Sequence, residues 1–155
     1  MSNGVKFYMQ KYPQGTTNFA QEDIEAKYKC IYRQFKDLAF DGDVSNIYTE
    51  SYTEHSGLRT YIPDPEDLAF KEYECKLQLL FNRATCQADS ETFYKAFRGQ
   101  LVEYHDTFRN KYVTLLMTKR PAIQQEKLYT GTPYQLVEFT FTNVKGTTFT
   151  TSQIL

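Results

Sequence analysis

Residues 73–81, "YECKLQLLF", alternate almost without a slip. Tyr73, Cys75, Leu77, Leu79 and Phe81 would point one way. Glu74, Lys76 and Gln78 would point the other, and only Leu80 breaks the rule. Period-two alternation is the signature of a strand with one face buried and one wet. A second stretch, "YQLVEFTFTNV" (134–144), repeats it, with Val137, Phe139 and Phe141 set against Glu138, Thr140 and Thr142. Two strands of this length commit the chain to a sheet with a core on one side.

Further strands are expected over 5–12, with Val5, Phe7 and Met9 inward, over 27–38, and over 111–120 with Val113, Leu115 and Met117 on one side. Residues 13–18 and 41–43 carry turn chemistry. The stretch 19–29 reads either as a short helix capped by Asn18 or as a loop, and 121–133 as a loop with a short strand at 123–129.

The period changes once, in "ADSETFYKAFRGQLVEY" (88–104). Phe93, Phe97 and Leu101 recur every four residues, one face of an amphipathic helix. Asp89 or Ser90 can cap it, and Gly99 should end it near Leu101. The next residues, 104–110, read as a turn. The fold expected is α+β: a mostly antiparallel sheet or sandwich with one amphipathic helix packed on one side. At 155 residues it is one domain, with a long hairpin or extended loop at 44–68 and a C-terminal arm at 145–155.

Little here looks reactive. Eighteen basic residues against nineteen acidic give a formal charge of −1, a poor footing for nucleic acid. No apolar run approaches the roughly 18 residues of a membrane span. The start, "MSNGVKFYMQKY", lacks the apolar stretch of a secretion signal, so the protein is expected to stay in the cytoplasm where it is made. Three cysteines, Cys30, Cys75 and Cys86, read as reduced thiols. Cys86 precedes the helix, where a thiolate would be stabilised, but no base is evident. The histidines are His55 and His105; adjacency of His105 to Asp106 does not make a relay, and no nucleophile elbow accompanies them. No spacing suits a metal, and "DGDVSN" has its glycine in the wrong place for a calcium loop. No catalytic residue, cofactor or metal is expected, and no specific nucleic acid or membrane partner. Arg109, Lys111, Lys119 and Arg120 flank one strand, with acids nearby.

The unusual feature is aromatic. Thirteen Tyr and twelve Phe, with no Trp, make up 16% of the chain. A β-rich core accounts for most of them. It accounts less well for tyrosines in the polar stretch 44–62, and Tyr suits interfaces because it buries a ring and keeps a polar tip. Tyr48, Tyr52, Leu58 and Tyr61 are the expected anchors of a subunit interface. The tail "KGTTFTTSQIL" (145–155) offers Phe149, Ile154 and Leu155 for the same purpose, or else supplies a last strand of the home sheet.

The succession "SGLRTYIPDPEDLAFKEYECKLQLLF", "SETFYKAFRGQL", "YHDTFRNKYVTLLMTK" and "YQLVEFTFTN" resembles the N-terminal domain of distal tail proteins of long-tailed phages. The likeness spans about residues 45 to 144 and rests on order, length and hydrophobic pattern; tail-tube and tail-terminator proteins share much of it. It implies a virion structural protein, assembled in the host cytoplasm, that forms a hexameric ring at the tail tip between tube and baseplate. The partners implied are copies of itself and other tail proteins. A head–tail connector or terminator ring is the nearest alternative, and a small enzyme or ligand-binding domain the alternative of another class. Many members carry a second, galectin-like domain, for which this sequence leaves no room, so carbohydrate binding is not carried over.

Overall fold

The computed structural model describes residues 8–11, 21–52, 57–123 and 133–153. Eight strands form one antiparallel sheet: β1 (Tyr8–Lys11), β2 (Gln21–Asp23), β3 (Cys30–Lys36), β6 (Tyr73–Asn82), β7 (Leu101–Asp106), β8 (Lys111–Leu116), β9 (Ala122–Ile123) and β10 (Tyr134–Phe149). Their order is β2-β1-β7-β8-β10-β6-β3, with β9 also on β10. Two further strands, β4 (Tyr48–Tyr52) and β5 (Gly57–Tyr61), make a separate hairpin. The helices are α1 (Ile24–Tyr28) and α2 (Cys86–Phe97).

The two strongest alternating segments are partners. β6 and β10 pair antiparallel from Tyr73↔Asn143 to Asn82↔Tyr134. The expected inner face is buried: Cys75, Leu77, Leu79, Phe81, Val137, Phe139 and Phe141 all lie in the core, with Tyr73 packed at its edge. The opposite face is drier than alternation implies. Gln78 is buried, donating to Glu138 at 2.9 Å and accepting from Gln34 at 2.8 Å. A polar residue in a covered position is satisfied in this way by its cross-strand neighbours.

The sheet closes over its own core. Phe35 of β3 lies 5.0 Å from Tyr104 of β7 although three strands separate them in the sheet order. β10 makes this possible, because it belongs to both layers. Its first part pairs with β6, and its last part pairs with β8 at Thr148↔Val113 and Phe149↔Tyr112. Between these parts β10 advances five residues, Asn143 to Thr148, while β8 moves two. Such a bulge bends a strand and sharpens its twist. Gly146 takes φ +69 there, and the buried Asn143 caps the bend, its Oδ1 accepting from the amides of Lys145 (3.1 Å) and Gly146 (2.9 Å).

The helix packs on one side, as expected, with the Phe93 ring tilted 4.5 Å from Phe139 and edge-on to Tyr28 of α1 at 5.1 Å. Its bounds differ from the reading of 88–104. α2 starts at Cys86 after Thr85 and stops at Phe97. Leu101 is therefore not on its apolar face: it opens β7 and is 40% exposed. The cause is tertiary. Arg98 bridges to Met117, and the Gly99 amide donates to the Met117 carbonyl at 2.8 Å, which turns the chain into a strand. Over 21–29 the structure has β2 followed by α1, capped by Asp23, whose side chain accepts from the Ala26 amide; residues 19 and 20 lie outside the described residues. The expectations for Val5, Phe7, 13–18 and 124–132 lie outside the described residues.

Candidate interaction surface

The polar excursion is a hairpin set apart from the main sheet. Tyr48 faces Tyr61 across it, Thr49 faces Thr60, and Tyr52 faces Gly57 in the register. The rings of Tyr48 and Tyr61 stack at 4.6 Å and 19°, with the Arg59 guanidinium 5.0 Å from the Tyr61 ring. Cross-strand aromatic pairs are the units that hold such a ribbon. Tyr48 is 55% exposed, and Ile47 and Ile62 at the two feet are also exposed. Tyr52 and Leu58 occupy β4 and β5; their side chains lie outside the described residues.

The feet are firmly tied. Val44 bridges to Phe70, Asn46 donates to the Asp67 carbonyl at 2.7 Å, and its Oδ1 accepts from the Ala69 amide at 3.0 Å. Below them the Lys71 amide donates to Asp43, and Asp41 accepts from the Thr148 amide at 2.9 Å. The hairpin thus grows from the bulge of β10.

The second expected surface resolves otherwise. Of the two readings of 145–155, the structure has the last strand of the home sheet through Phe149, which is half-buried opposite Tyr112. Beyond it, Ser152 and the Gln153 amide donate to the buried carboxylate of Glu103. Within one copy these residues bond to their own sheet, as in the reading of the tail as a last strand. Ile154 and Leu155 lie outside the described residues.

The stretch 104–110, expected as a turn, is strand as far as Asp106, because Tyr104, His105 and Asp106 pair with β8. The turn that follows lifts Phe108 until it is 96% exposed. The turn is built around Asp106, whose carboxylate accepts from the amides of Phe108 (3.1 Å) and Arg109 (3.4 Å) and pairs with Arg109 Nε at 2.6 Å. Asn110 closes it with φ +53. The Arg109 guanidinium lies 5.0 Å from the ring of Phe40, itself 68% exposed. An apolar residue within a polar turn was the signal available in the sequence.

The chemistry elsewhere is quiet. Cys30, Cys75 and Cys86 are buried. Burial is the first cause of a raised pKa in each, with neighbouring carboxylates adding to it, and Cys30 and Cys75 are pushed up to about 12. These thiols stay protonated and unreactive at neutral pH. His105 stacks on Tyr112 at 4.2 Å and bonds Asn110, while Asp106 faces Arg109 instead. Lys119 pairs with Glu74 and Arg109 with Asp106. Among the described residues no group of three metal-ligating side chains occurs, and no helix is long and apolar enough to cross a membrane.

A chain in the structure of the phage p2 baseplate in its activated conformation with Sr superposes on 89% of this chain, with a TM-score of 0.50 and 13% identity. A chain in the same baseplate with Ca superposes on 88%, at 0.50 and 12%. The chain shares its fold with these chains of a phage baseplate structure. The resemblance read from residues 45–144 is met at that level. The chain spans less than half of the baseplate chains it matches, 44% and 43%. No protein-family model and no curated protein matches it.

Proposed function

We propose that the chain is a non-enzymatic structural subunit of a phage tail, forming an oligomeric ring at the tail tip that joins tube to baseplate. The observation that carries this reading is the likeness to a baseplate chain over 89% of the residues. The hairpin supports it. A lone two-stranded ribbon is marginal in water, and this one exposes Tyr48 between Ile47 and Ile62. In the ring, residues 44–62 lie on a neighbouring subunit with Tyr48, Tyr52, Leu58 and Tyr61 as anchors. Phe149, which completes β10, is left out of this surface.

Native mass spectrometry tests the ring: the expected masses are multiples of the 18.2 kDa subunit. A monomer alone at micromolar concentration overturns it. Antibody-labelled particles in the electron microscope test the position. Label at the tail tip agrees with the proposal; label at the head-proximal end assigns the chain to a connector or terminator instead.

A further inference from the structure

Phe108 stands exposed at one end of the molecule, and an open groove lies at the other. The β7–β8 turn sits beside residues 39–41, which touch Tyr73 and Thr148, so it lies at the Tyr73–Asn143 end of the β6–β10 pair. At the Asn82–Tyr134 end is an open groove of about 390 Å³. Ile31 and Leu80, which pair across β3 and β6, line it together with Tyr134. Glu25 of α1, Asp89 of α2 and Lys29 line it as well. The two ends are about 30 Å apart along the strands, from nine steps at the usual rise.

A surface at one end that fits a surface at the other makes a head-to-tail contact, and head-to-tail contacts close into rings or run on as filaments. The knob is an exposed aromatic on a turn fixed by Asp106, and the groove offers Ile31, Leu80 and Tyr134 among polar residues. The charges suit. The turn carries Arg109 and Lys111 against Asp106, one net positive, and the groove carries Glu25 and Asp89 against Lys29, one net negative. The Glu25 carboxyl is held above its ordinary range, first by burial and second by Asp23, so an approaching cation stabilises it. A pre-organised knob loses little freedom on docking, which is the property of an anchor residue.

We propose that Phe108 and Arg109 of one copy seat in the groove between Ile31, Leu80 and Tyr134 of the next copy. This contact rests on the ring reading given above and adds to the hairpin a second point of attachment.

The test uses the full chain and two kinds of variant. Phe108→Glu blocks the knob, and because the residue is exposed the fold should melt as wild type does. Asp89→Lys and, independently, Ile31→Lys block the groove; circular dichroism melts select whichever stays folded. Each alone should weaken self-association roughly thirtyfold or more, the effect of losing an anchor residue. A mixture of knob-blocked and groove-blocked chains should recover association between unlike chains, since each mixed pair restores one knob-in-groove contact that neither variant can make alone. In a Phe108→Cys, Asn82→Cys chain, oxidation should give a ladder of covalent oligomers, the native cysteines being buried. If wild type assembles and Phe108→Glu assembles equally well, this contact is wrong, the knob faces a different protein, and the ring stands. If wild type is monomeric, the ring reading itself fails and takes this contact with it.

Discussion

The amide of Gly42 donates to the carbonyl of Gly146 at 2.6 Å. This bond joins the root of the exposed hairpin to the bend of β10, and no side chain fits between them. A Cβ on Gly42 would lie 1.9 Å from the Lys71 carbonyl oxygen; one on Gly146 would lie 2.8 Å from the carbonyl oxygens of Phe70 and Lys71. Both oxygens are backbone, so relief requires the strands to part.

Gly146→Ala should therefore cost more than the roughly 1 kcal/mol of left-handed strain alone. Gly99 is the internal control. It has the same φ of +69 with open space around its Cβ, so Gly99→Ala should cost only that strain. Urea titration of both variants checks the difference, and equal losses would remove the close-approach argument.

The core has a simpler expectation. Leu79 and Phe139 are fully buried, and Phe139 touches Phe93 and Phe81. Leu79→Ala or Phe139→Ala should each destabilise by about 2–5 kcal/mol, measured by urea unfolding. Losses under about 1 kcal/mol at both sites would contradict the core assignment.

The hairpin tyrosines should behave in the opposite way. Tyr48→Ser with Tyr61→Ser removes a stacked pair on a ribbon outside the main sheet. The melting temperature should move little, while the ring mass in native mass spectrometry is lost. A large fall in melting with assembly intact would place these rings in the home fold instead.

Removing residues 147–155 should lower the melting temperature by many degrees. It takes away the pairing of Thr148 and Phe149 with β8, and it strips Glu103 of the bonds from Ser152 and Gln153. A buried carboxylate without those donors is costly. A truncated chain that melts unchanged yet fails to assemble would restore the free-arm reading.

Alkaline pH should destabilise the fold through its thiols. Cys30 and Cys75 ordinarily titrate near 9.0 and are pushed up to about 12, burial being the main cause. Above pH 9 the unfolded chain releases these protons and the folded chain keeps them. The stability present below pH 9 should thus fall steadily toward pH 12. Urea midpoints at pH 8 and pH 10 check the sign, and Cys75→Ala should lessen the dependence.

The sequence by itself determined which segments are strands where the pattern is strict, and which of their residues are inside. Leu77, Leu79, Phe81, Val137, Phe139 and Phe141 were legible because burial of one strand face imposes a period of two whatever the partner strand is. Met9, Val113, Leu115 and Met117 followed from the same rule and are all buried. Only the tertiary structure decided where α2 stops, because the Met117 carbonyl that captures the Gly99 amide is 18 residues away in the chain. It also decided that β10 passes Asn143 into the second layer, since β8 pairing fixes Thr148 and Phe149 in a stretch that is Thr-rich and nearly without pattern. Gln78 and Glu103 look solvent-facing in sequence and are buried because distant residues supply their hydrogen bonds. Phe108 is the converse: an apolar residue pushed into water by a turn that Asp106 and Arg109 lock from within. Local pattern records a residue's own face; the partner that covers or uncovers it comes from elsewhere in the chain.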